Sequence, residues 1–554
     1  MRRALIAILA LLLFIPSPAA FAHKERDVES PPREGSVPDQ NRVSTQIIDV
    51  CKTGECPYEH IQAAVNAAPD GALIQIWPGT YHEEPSVLAD DLPPDNPDGT
   101  FSYEFHVRNP NAQNLIAIVG KKDITLRGMG QTPRDVVIDA KFQKHVVIRG
   151  DRSDGIIIEN LSVWHGAEHG VYILDTSGLL IDRVDSGFST DYPFLTFAND
   201  HGLMKNCEAF GGGDGGIYPG GSAETPGRFS MEIRNCRSYH NVLGYSGTQG
   251  NHVWVHDNEF FDNAVGLVSD SETDHPNYPQ NNLVFERNKV YDNNFNPYLD
   301  TSDVEATVFA TFAYIPVGTG VFLLSGNENT VQSNEFWGND RYGLWLGSGY
   351  GLVLGPTGPF TTNEPATTPW ASSDLTITSN FFNSPSGDSP NGIDIAWDGL
   401  GTGTCFENNR RSETEEATTD AAFLPPCGPM PGTNQSWPTT LGIPTASNIA
   451  AQASLVIVEG LDSDDDGFDE PLCFHMPDPC EFGSGPTPEN TRNRESGMQA
   501  PPDPTPCGPS TCGSDPDPEP TPTPTPSPTD DKPGNGPKPK EPKEPKEREK
   551  RSGV

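Results

Sequence analysis

The stretch Val253–Val268 reads VWVHDNEFFDNAVGLV. Val253 and Val255 alternate with Trp254 and His256, and Asp257-Asn258 then interrupts. Glu259-Phe260-Phe261 makes a second short run, Asp262-Asn263 interrupts again, and Ala264 to Val268 resumes an apolar segment around Gly266. Period-two alternation over a few residues, bounded by Asn and Gly, is strand patterning. Asparagine suits the bends because it accepts left-handed backbone and hydrogen-bonds its own turn. Segments of the same build lie on both sides: IIIENLSVWHGAEHGVYI, LMKNCEAFGGGDGGIY, MEIRNCRSYHNVLGY, LVFERNKVYDNN, TVQSNEFWGNDRYGLWL and LTITSNFFNSPS. Their marker residues are Asn160, Asn206, Asn235, Asn258, Asn288, Asn334 and Asn380, and aligning LLIDRVDS adds Arg183. The steps between markers are 23, 23, 29, 23, 30, 46 and 46 residues.

Self-similarity at such a period marks a repeat architecture. A unit this small buries no apolar face alone, but stacked on its neighbours it shares one continuous core. No unit holds a helical pattern long enough for a crossover, so parallel strands must be joined by turns in a solenoid. A 46-residue step is either two units or one coil with a long loop. In register, the asparagine amides can form a ladder along the stack.

On these segments the chain resembles the right-handed parallel β-helix repeat family, the pectin-lyase-like superfamily of secreted proteins. A second stretch carries the resemblance: HIQAAVNAAPDGALIQIWPGTYHEE, His60 to Glu84, is similar to that family's N-terminal cap and first coil. Ile61, Ala64, Val65 and Ala68 make one helix face. Pro69-Asp70-Gly71 ends the helix, and Ile74 and Ile76 alternate as a strand. The resemblance covers about residues 44 to 410. It implies an all-β, right-handed parallel β-helix with a short N-terminal capping helix and an extracellular polysaccharide as partner. Activity does not follow, because one fold hosts unrelated functions. VWVHD, Val253 to Asp257, is similar to the VWIDH stretch of pectate lyases with Asp and His reversed. The lyase R-x-P-x-x-R signature and the polygalacturonase NTD, GHG and RIK motifs do not occur, so no specific pectinase is implied.

The remaining segments set the context. Residues 1–22 read as a signal peptide: Arg2-Arg3, an apolar run Ala4 to Ile15 too short to span a membrane, and an Ala20-Phe21-Ala22 cleavage site. Residues 23–43 read as a flexible arm, 411–446 as a linker, 447–483 as a small Cys-containing segment, and 484–554 as a disordered Pro-rich tail. No later run is long enough for a membrane-spanning helix. The expected location is secreted, extracellular or wall-associated. A net charge of −41, from 77 acidic against 36 basic residues, opposes binding to nucleic acid or anionic membranes. Ten cysteines fall in five local pairs: Cys51/Cys56, Cys207/Cys236, Cys405/Cys427, Cys473/Cys480 and Cys507/Cys512. In an exported chain an even count implies disulfides, and nearest-neighbour pairing is the plain expectation. Cys207 and Cys236 each follow a marker Asn by one residue, so they are expected to bond across adjacent coils.

Candidate chemistry lies in three places. DSDDDG, with Asp462, Asp464, Asp466 and then Asp469, alternates carboxylates around Gly467 in the manner of a short Ca²⁺ loop, although Cys473 stands where an EF-hand has Glu. His165-Gly166-Ala167-Glu168-His169 spells H-x-x-E-H, a zinc pattern that needs a helix; here it falls at a turn of the repeat. Polar residues between coils offer Asp214 and Asp270 as acid–base candidates, with Tyr218, Tyr245 and Trp397 to stack on sugar rings. Two coils of separation would make Asp214 and Asp270 an inverting pair. The reading is a secreted β-helix that binds, and cleaves or modifies, a polysaccharide. The alternative is a non-catalytic glycan-binding or surface structural protein.

Overall fold

In the computed structural model the described residues are 26–83, 92–97, 100–271, 275–297, 302, 304, 316–347, 372–397, 399, 401–419, 423–436 and 503–512. All belong to one compact unit, Met1–Ser514; a second, Asp515–Val554, lies outside them.

Each coil turns through three short strands. The coil at Met231 shows the plan: Met231–Arg234, a bend at Asn235-Cys236, Arg237–Tyr239, a bend at His240 to Val242, then Leu243–Ser246. Every strand pairs in parallel with the corresponding strand of the next coil, as in Met231↔Val253, Arg237↔Glu259 and Leu243↔Val265. The first two strands of each coil merge at the corner into a nineteen-stranded sheet, and the third strands form a separate ten-stranded sheet. Inside runs one apolar core, from Ile48 and Val50 through Val171, Phe194, Tyr245 and Leu267 to Trp397 and Phe406.

The first corner explains the Asn pattern and corrects its register. Asn160, Arg183, Asn206, Asn235, Asp257, Arg287, Ser333, Ser379 and Asn408 all have φ between 53° and 58° and share one position. The next position holds Cys207, Cys236, Asn258, Asn288, Asn334, Asn380 and Asn409. The marker column therefore mixes two positions: the coil from Asn235 ends at Asp257, not Asn258. The inward column is the ladder. Asn288 Nδ2 donates to Val255 O (2.9 Å) and Asn334 Oδ1 (3.1 Å), and Asn334 Nδ2 repeats the pattern toward Phe285 O (2.9 Å) and Asn380 Oδ1 (3.0 Å). A second ladder, Asn241, Asn263, Asn293, Asn339 and Asn391, fills the other corner. Beside it Gly216, Gly244, Gly266, Gly320 and Gly343 face inward. A Cβ on Gly266 would lie 2.5 Å from Gly320 O and 3.0 Å from Asn293 Nδ2, so this column admits no side chain.

Both 46-residue steps are single coils with long insertions, since Val284 pairs with Thr330 and Thr330 with Thr376. Four expected disulfides are present: Cys51–Cys56, Cys207–Cys236, Cys405–Cys427 and Cys507–Cys512. Cys473 and Cys480 lie outside the described residues. Cys207–Cys236 spans adjacent coils with Cα atoms 4.6 Å apart. The capping helix is Ile61–Ala67, with Ile61, Ala64 and Val65 on the core. The Glu83 carboxylate accepts from the N–H groups of Ile61 (2.8 Å) and Gln62 (2.9 Å), satisfying two open donors of its first turn.

Three segments expected to be loose are docked. In the arm, Arg26 forks onto Asp151, Arg33 pairs with Asp175, Gln40 bonds Glu159 and Asp182, and Arg42 reaches Asp123. These arginines add to the coils' own cations, Arg149 at Asp151 and Arg152 at Asp175, on an acidic flank. Part of the linker closes the far end: Asp394 accepts from Thr418 N (2.7 Å) and Thr418 Oγ1 (2.8 Å) and pairs with Arg411 (3.3 Å). Residues 503–512 of the tail lie on the first coil, where Cys507 N donates to Pro78 O (3.1 Å) and Thr80 Oγ1 to Asp503 (3.0 Å).

Candidate functional site

The outer face of the ten-stranded sheet is the chemically distinctive surface. Side chains alternate along its strands, so Val171, Phe194, Ile217, Tyr245 and Leu267 point inward while Tyr172, Leu195, Tyr218, Ser246 and Val268 share the opposite face. That outer column continues into Phe322 and Trp345. The outer rings are themselves covered. Val28 of the arm packs against the cluster that contains Tyr172, Leu174, Phe197 and Tyr218, and Phe295 against the cluster that contains Val265, Phe322 and Trp345.

The sequence candidates divide on this geometry. Tyr245 and Trp397 stand inside the core with 0% exposure, so neither ring can stack on a sugar. Period-two alternation from Val171 and Phe194 would have placed Tyr245 inward. Tyr218 is on the outer face. Its ring folds over Gly220, where a Cβ would meet it at 2.6 Å, and its hydroxyl shares a 3.1 Å hydrogen bond with His275 Nε2. Asp270 lies at the exit edge of the sheet and accepts from Thr248 Oγ1 (2.7 Å). Burial raises its pKa, only partly opposed by Thr248 and the nearby His275.

Asp214 and Asp270 do not form a pair. Gly215, Leu243 and Val265 share one register position, so Asp214 is level with Ala264, six residues before Asp270. At ~3.3 Å per residue that is roughly 20 Å along the strands, well beyond the ~6.5–9.5 Å of an inverting pair.

Asp214 has nearer partners. It stands at the entry edge, level with Asp191 and Glu168 on the two preceding coils. Asp191 N donates to Glu168 O (2.9 Å) and Asp214 N to Asp191 O (3.1 Å). His145 heads the row, its Nδ1 2.6 Å from Glu168 Oε1. Tyr192 donates its hydroxyl to Asp214 Oδ2 (3.1 Å), and its ring lies 4.9 Å from that of Tyr218. Burial first, then the charges of Glu168 and Asp214, holds the Asp191 carboxyl well above the usual carboxylate range. Three carboxyl groups are thus stacked with the central one biased toward its neutral form, the kind of arrangement that can separate an acid from a base. Asp191 was legible in the sequence: Glu168, Asp191 and Asp214 are spaced 23 and 23, the coil period itself.

The row continues through Val242, Ala264 and Gly318 to Arg341, since Thr319 pairs with Val265 and Tyr342 with Thr319. Burial lowers the pKa of the Arg341 guanidinium, although the neighbouring Tyr342 opposes this.

The H-x-x-E-H motif lies between strands Ile156–Trp164 and His169–Leu174, not on a helix. His165 is a corner residue with φ 58° whose Nδ1 bonds Asp139 Oδ1 (2.7 Å). Among the described residues no group of three or more His, Cys, Asp or Glu side chains is placed to hold a metal ion. Asp462, Asp464, Asp466 and Asp469 lie outside those residues.

Residues 144–351 match the family of right-handed β-helix regions. The chain is a right-handed parallel β-helix. No curated protein sequence matches it. Among solved structures this β-helix is similar to the A-module of a mannuronan C-5 epimerase from Azotobacter vinelandii, at 14% identity over 63% of this chain and 89% of that one, with a TM-score of 0.39. It is similar to a pectate lyase at 14% identity, over 69% of this chain and 80% of that one, with a TM-score of 0.35. It is also similar to an alginate lyase from Paenibacillus sp. str. FPU-7, at 11% identity over 68% of this chain and 99% of that one, with a TM-score of 0.30. These likenesses concern the fold. Among the described residues no helix of the β-helix is long and apolar enough to cross a membrane.

Proposed function

We propose that this β-helix is an exported protein that engages a polysaccharide at the entry edge of its ten-stranded sheet and cleaves it by acid–base chemistry. The observation that carries the reading is the Glu168–Asp191–Asp214 row, in which three carboxyl groups stand level on adjacent coils and burial and the flanking charges push the central Asp191 carboxyl up. Adjacent strands are ~4.8 Å apart, near the ~5–5.5 Å separation of a retaining pair. Asp191 would donate the proton to the leaving glycosidic oxygen. Asp214, fixed by the Tyr192 hydroxyl, would serve as the carboxylate opposite it. This replaces the inverting Asp214/Asp270 pair.

The test is a glycan array followed by product analysis on each glycan that binds, for wild type and Asp191→Asn. Cleavage with retained configuration, lost in Asp191→Asn while binding persists, supports the reading. Equal cleavage by both proteins removes Asp191 from the chemistry. Binding without cleavage of any glycan by wild type would leave the non-catalytic binding protein as the correct reading.

A further inference from the structure

The N-terminal arm crosses the sheet that carries the candidate site. Arg26 forks onto Asp151 (2.7 and 2.6 Å) at the end of strand Val146–Asp151. Ser30 O accepts from Asn277 Nδ2 (2.9 Å), which also donates to Ser222 O (2.9 Å), two residues past strand Gly215–Gly220. Strands His169–Leu174 and Tyr192–Phe197 lie between, each paired with the next. Three strand spacings make about 14 Å, and four extended residues span about 13 Å. Residues 26–30 therefore run along the helix axis, at right angles to four strands of the ten-stranded sheet and across their exit ends. There Val28 packs against the cluster that contains Tyr172, Tyr192, Phe197 and Tyr218. Tyr172 is 0% exposed and Tyr218 2%.

The coils do not need this cover for their charges. Each carboxylate that residues 26–33 grip has a coil-borne cation of its own: Asp151 pairs with Arg149 (3.0 Å), Asp175 with Arg152 (2.9 Å) and Asp200 with Arg228 (2.6 Å). Arg33 is a second partner for the last two, through its guanidinium at Asp175 and its N–H at Asp200 (2.8 Å). None of residues 26–33 lies in a strand ladder. Lifting them strands no buried carboxylate, whereas it uncovers part of an aromatic surface, which is costly to leave against water. A hinge is visible as well. Pro31, Pro32 and Glu34 to Val37 are exposed, and the arm is anchored again beyond them, where Gln40 bonds Glu159 and Asp182 and Arg42 donates to Gly155 O (2.7 Å).

We propose that residues 26–33 are an autoinhibitory strap, hinged at the exposed residues 34–37, which must lift before a glycan chain reaches the outer aromatic surface and the Asp191–Asp214 pair beside it. This rests on the polysaccharide reading above and adds its regulation. Tyr192 joins the two regions: its ring belongs to the covered cluster, and its hydroxyl donates to Asp214 Oδ2 (3.1 Å). While the strap is down, the apparent affinity for a ligand of this surface is reduced by the fraction of molecules that are open.

The experiment uses the full-length protein, the double variant Arg26→Gln/Val28→Asp and the milder Arg33→Ala. Without any glycan, nitration by tetranitromethane is mapped by mass spectrometry. In the double variant Tyr172, Tyr218 or both should react roughly tenfold or more faster than in wild type, the opening expected from loss of a charge-assisted hydrogen bond. Arg33→Ala should move the same tyrosines by less. Tyr245, inside the core, should stay protected in all three proteins, which shows that the coils remain folded. Binding and product formation are then compared on the glycan array. Each glycan that wild type binds should be bound, and cleaved if it is a substrate, roughly tenfold better by the double variant. Unchanged nitration of both outer tyrosines overturns the proposal, because the strap then covers neither. Reactive Tyr245 in either variant also overturns it, since the arm would be part of the fold. So does an opened surface with glycan binding no stronger than that of wild type. If the outer tyrosines open and no glycan binds any of the three proteins, the removable strap stands and the polysaccharide reading falls.

Discussion

Replacing Asn334 with alanine tests the asparagine ladder where it has no substitute. Asn334 is 1% exposed. Its Oδ1 accepts from Asn288 N (2.9 Å) and Asn288 Nδ2 (3.1 Å), and its Nδ2 donates to Phe285 O (2.9 Å) and Asn380 Oδ1 (3.0 Å). Alanine removes all four bonds. Asn288 Nδ2 keeps Val255 O, and Asn380 Oδ1 keeps the Asn334 N–H, so neither is stranded. The Asn288 N–H loses its acceptor and Phe285 O its amide donor, deep inside the stack. A buried polar group without a partner costs ~1–3 kcal/mol, so two such losses and a small cavity give roughly 3–6 kcal/mol. That is a large share of the ~5–15 kcal/mol typical of a domain. Asn409, at the ladder's end, is 9% exposed, and water can replace its bonds. Asn409→Ala should therefore cost less than half as much. Urea unfolding followed by circular dichroism measures both, with hydrogen exchange to detect coils that open separately, as stacked repeats do. A loss of ~1 kcal/mol or less for Asn334→Ala, or equal losses at the two sites, would refute the argument that the ladder is satisfied by side chains alone.

Two more outcomes follow from neighbouring features. Cys207 and Cys236 occupy ladder positions and close a separation of 29 residues, so Cys207→Ala/Cys236→Ala should lose roughly 3–4 kcal/mol by chain entropy; Cys207→Asn/Cys236→Asn should lose measurably less in thermal unfolding, because Asn258 Oδ1 already accepts from Cys236 N (2.9 Å) and the amides can extend the ladder. Asp185 is pushed up to about 6 by burial and by Glu208 on the next coil, against the pull of Arg134. A raised folded pKa means that wild-type stability grows as pH falls through that value toward the ordinary ~3.9. Asp185→Asn should therefore be more stable than wild type at pH 8, with the gain shrinking below pH 6; a constant difference across that range would show that Asp185 does not titrate as described.

How far the sequence reached depended on which signals repeat. Strand alternation and Asn bends recur in every coil, so the solenoid was plain from Val253–Val268 and its kin. The exact register was not, because Asn serves two adjacent corner positions: left-handed backbone at Asn235, ladder amide at Asn258. Only pairing between coils separates those roles. The docked arm was illegible for a different reason. Its Pro-rich composition carries no periodicity, and Arg26, Arg33 and Arg42 find their carboxylates on coils more than eighty residues away or farther still, at Asp123, Asp151 and Asp175. Of the two tyrosines expected to stack on sugar, Tyr218 lies on the outer face of the sheet but is 2% exposed, and Tyr245, register partner of Ile217, faces the core. Asp191 sat at the coil period beside two residues already singled out, and extending the alignment by one column would have found it.

The corners have a consequence for how such a chain can diversify. From Asn235 to Asp257 the chain completes one coil, and from Arg287 to Ser333 it also completes one coil with more than twice the residues, yet Asn258, Asn288 and Asn334 stack without a break. Axial spacing is set by amide-to-amide bonds at the corner and not by the length of chain between corners. Insertions after the strands Lys289–Tyr291 and Tyr342–Gly347 thus leave every rung where it was. The scaffold behaves as a ruler with interchangeable attachments: loops can be lengthened, exchanged or lost while Asp191 and Arg341 keep their separation along the axis.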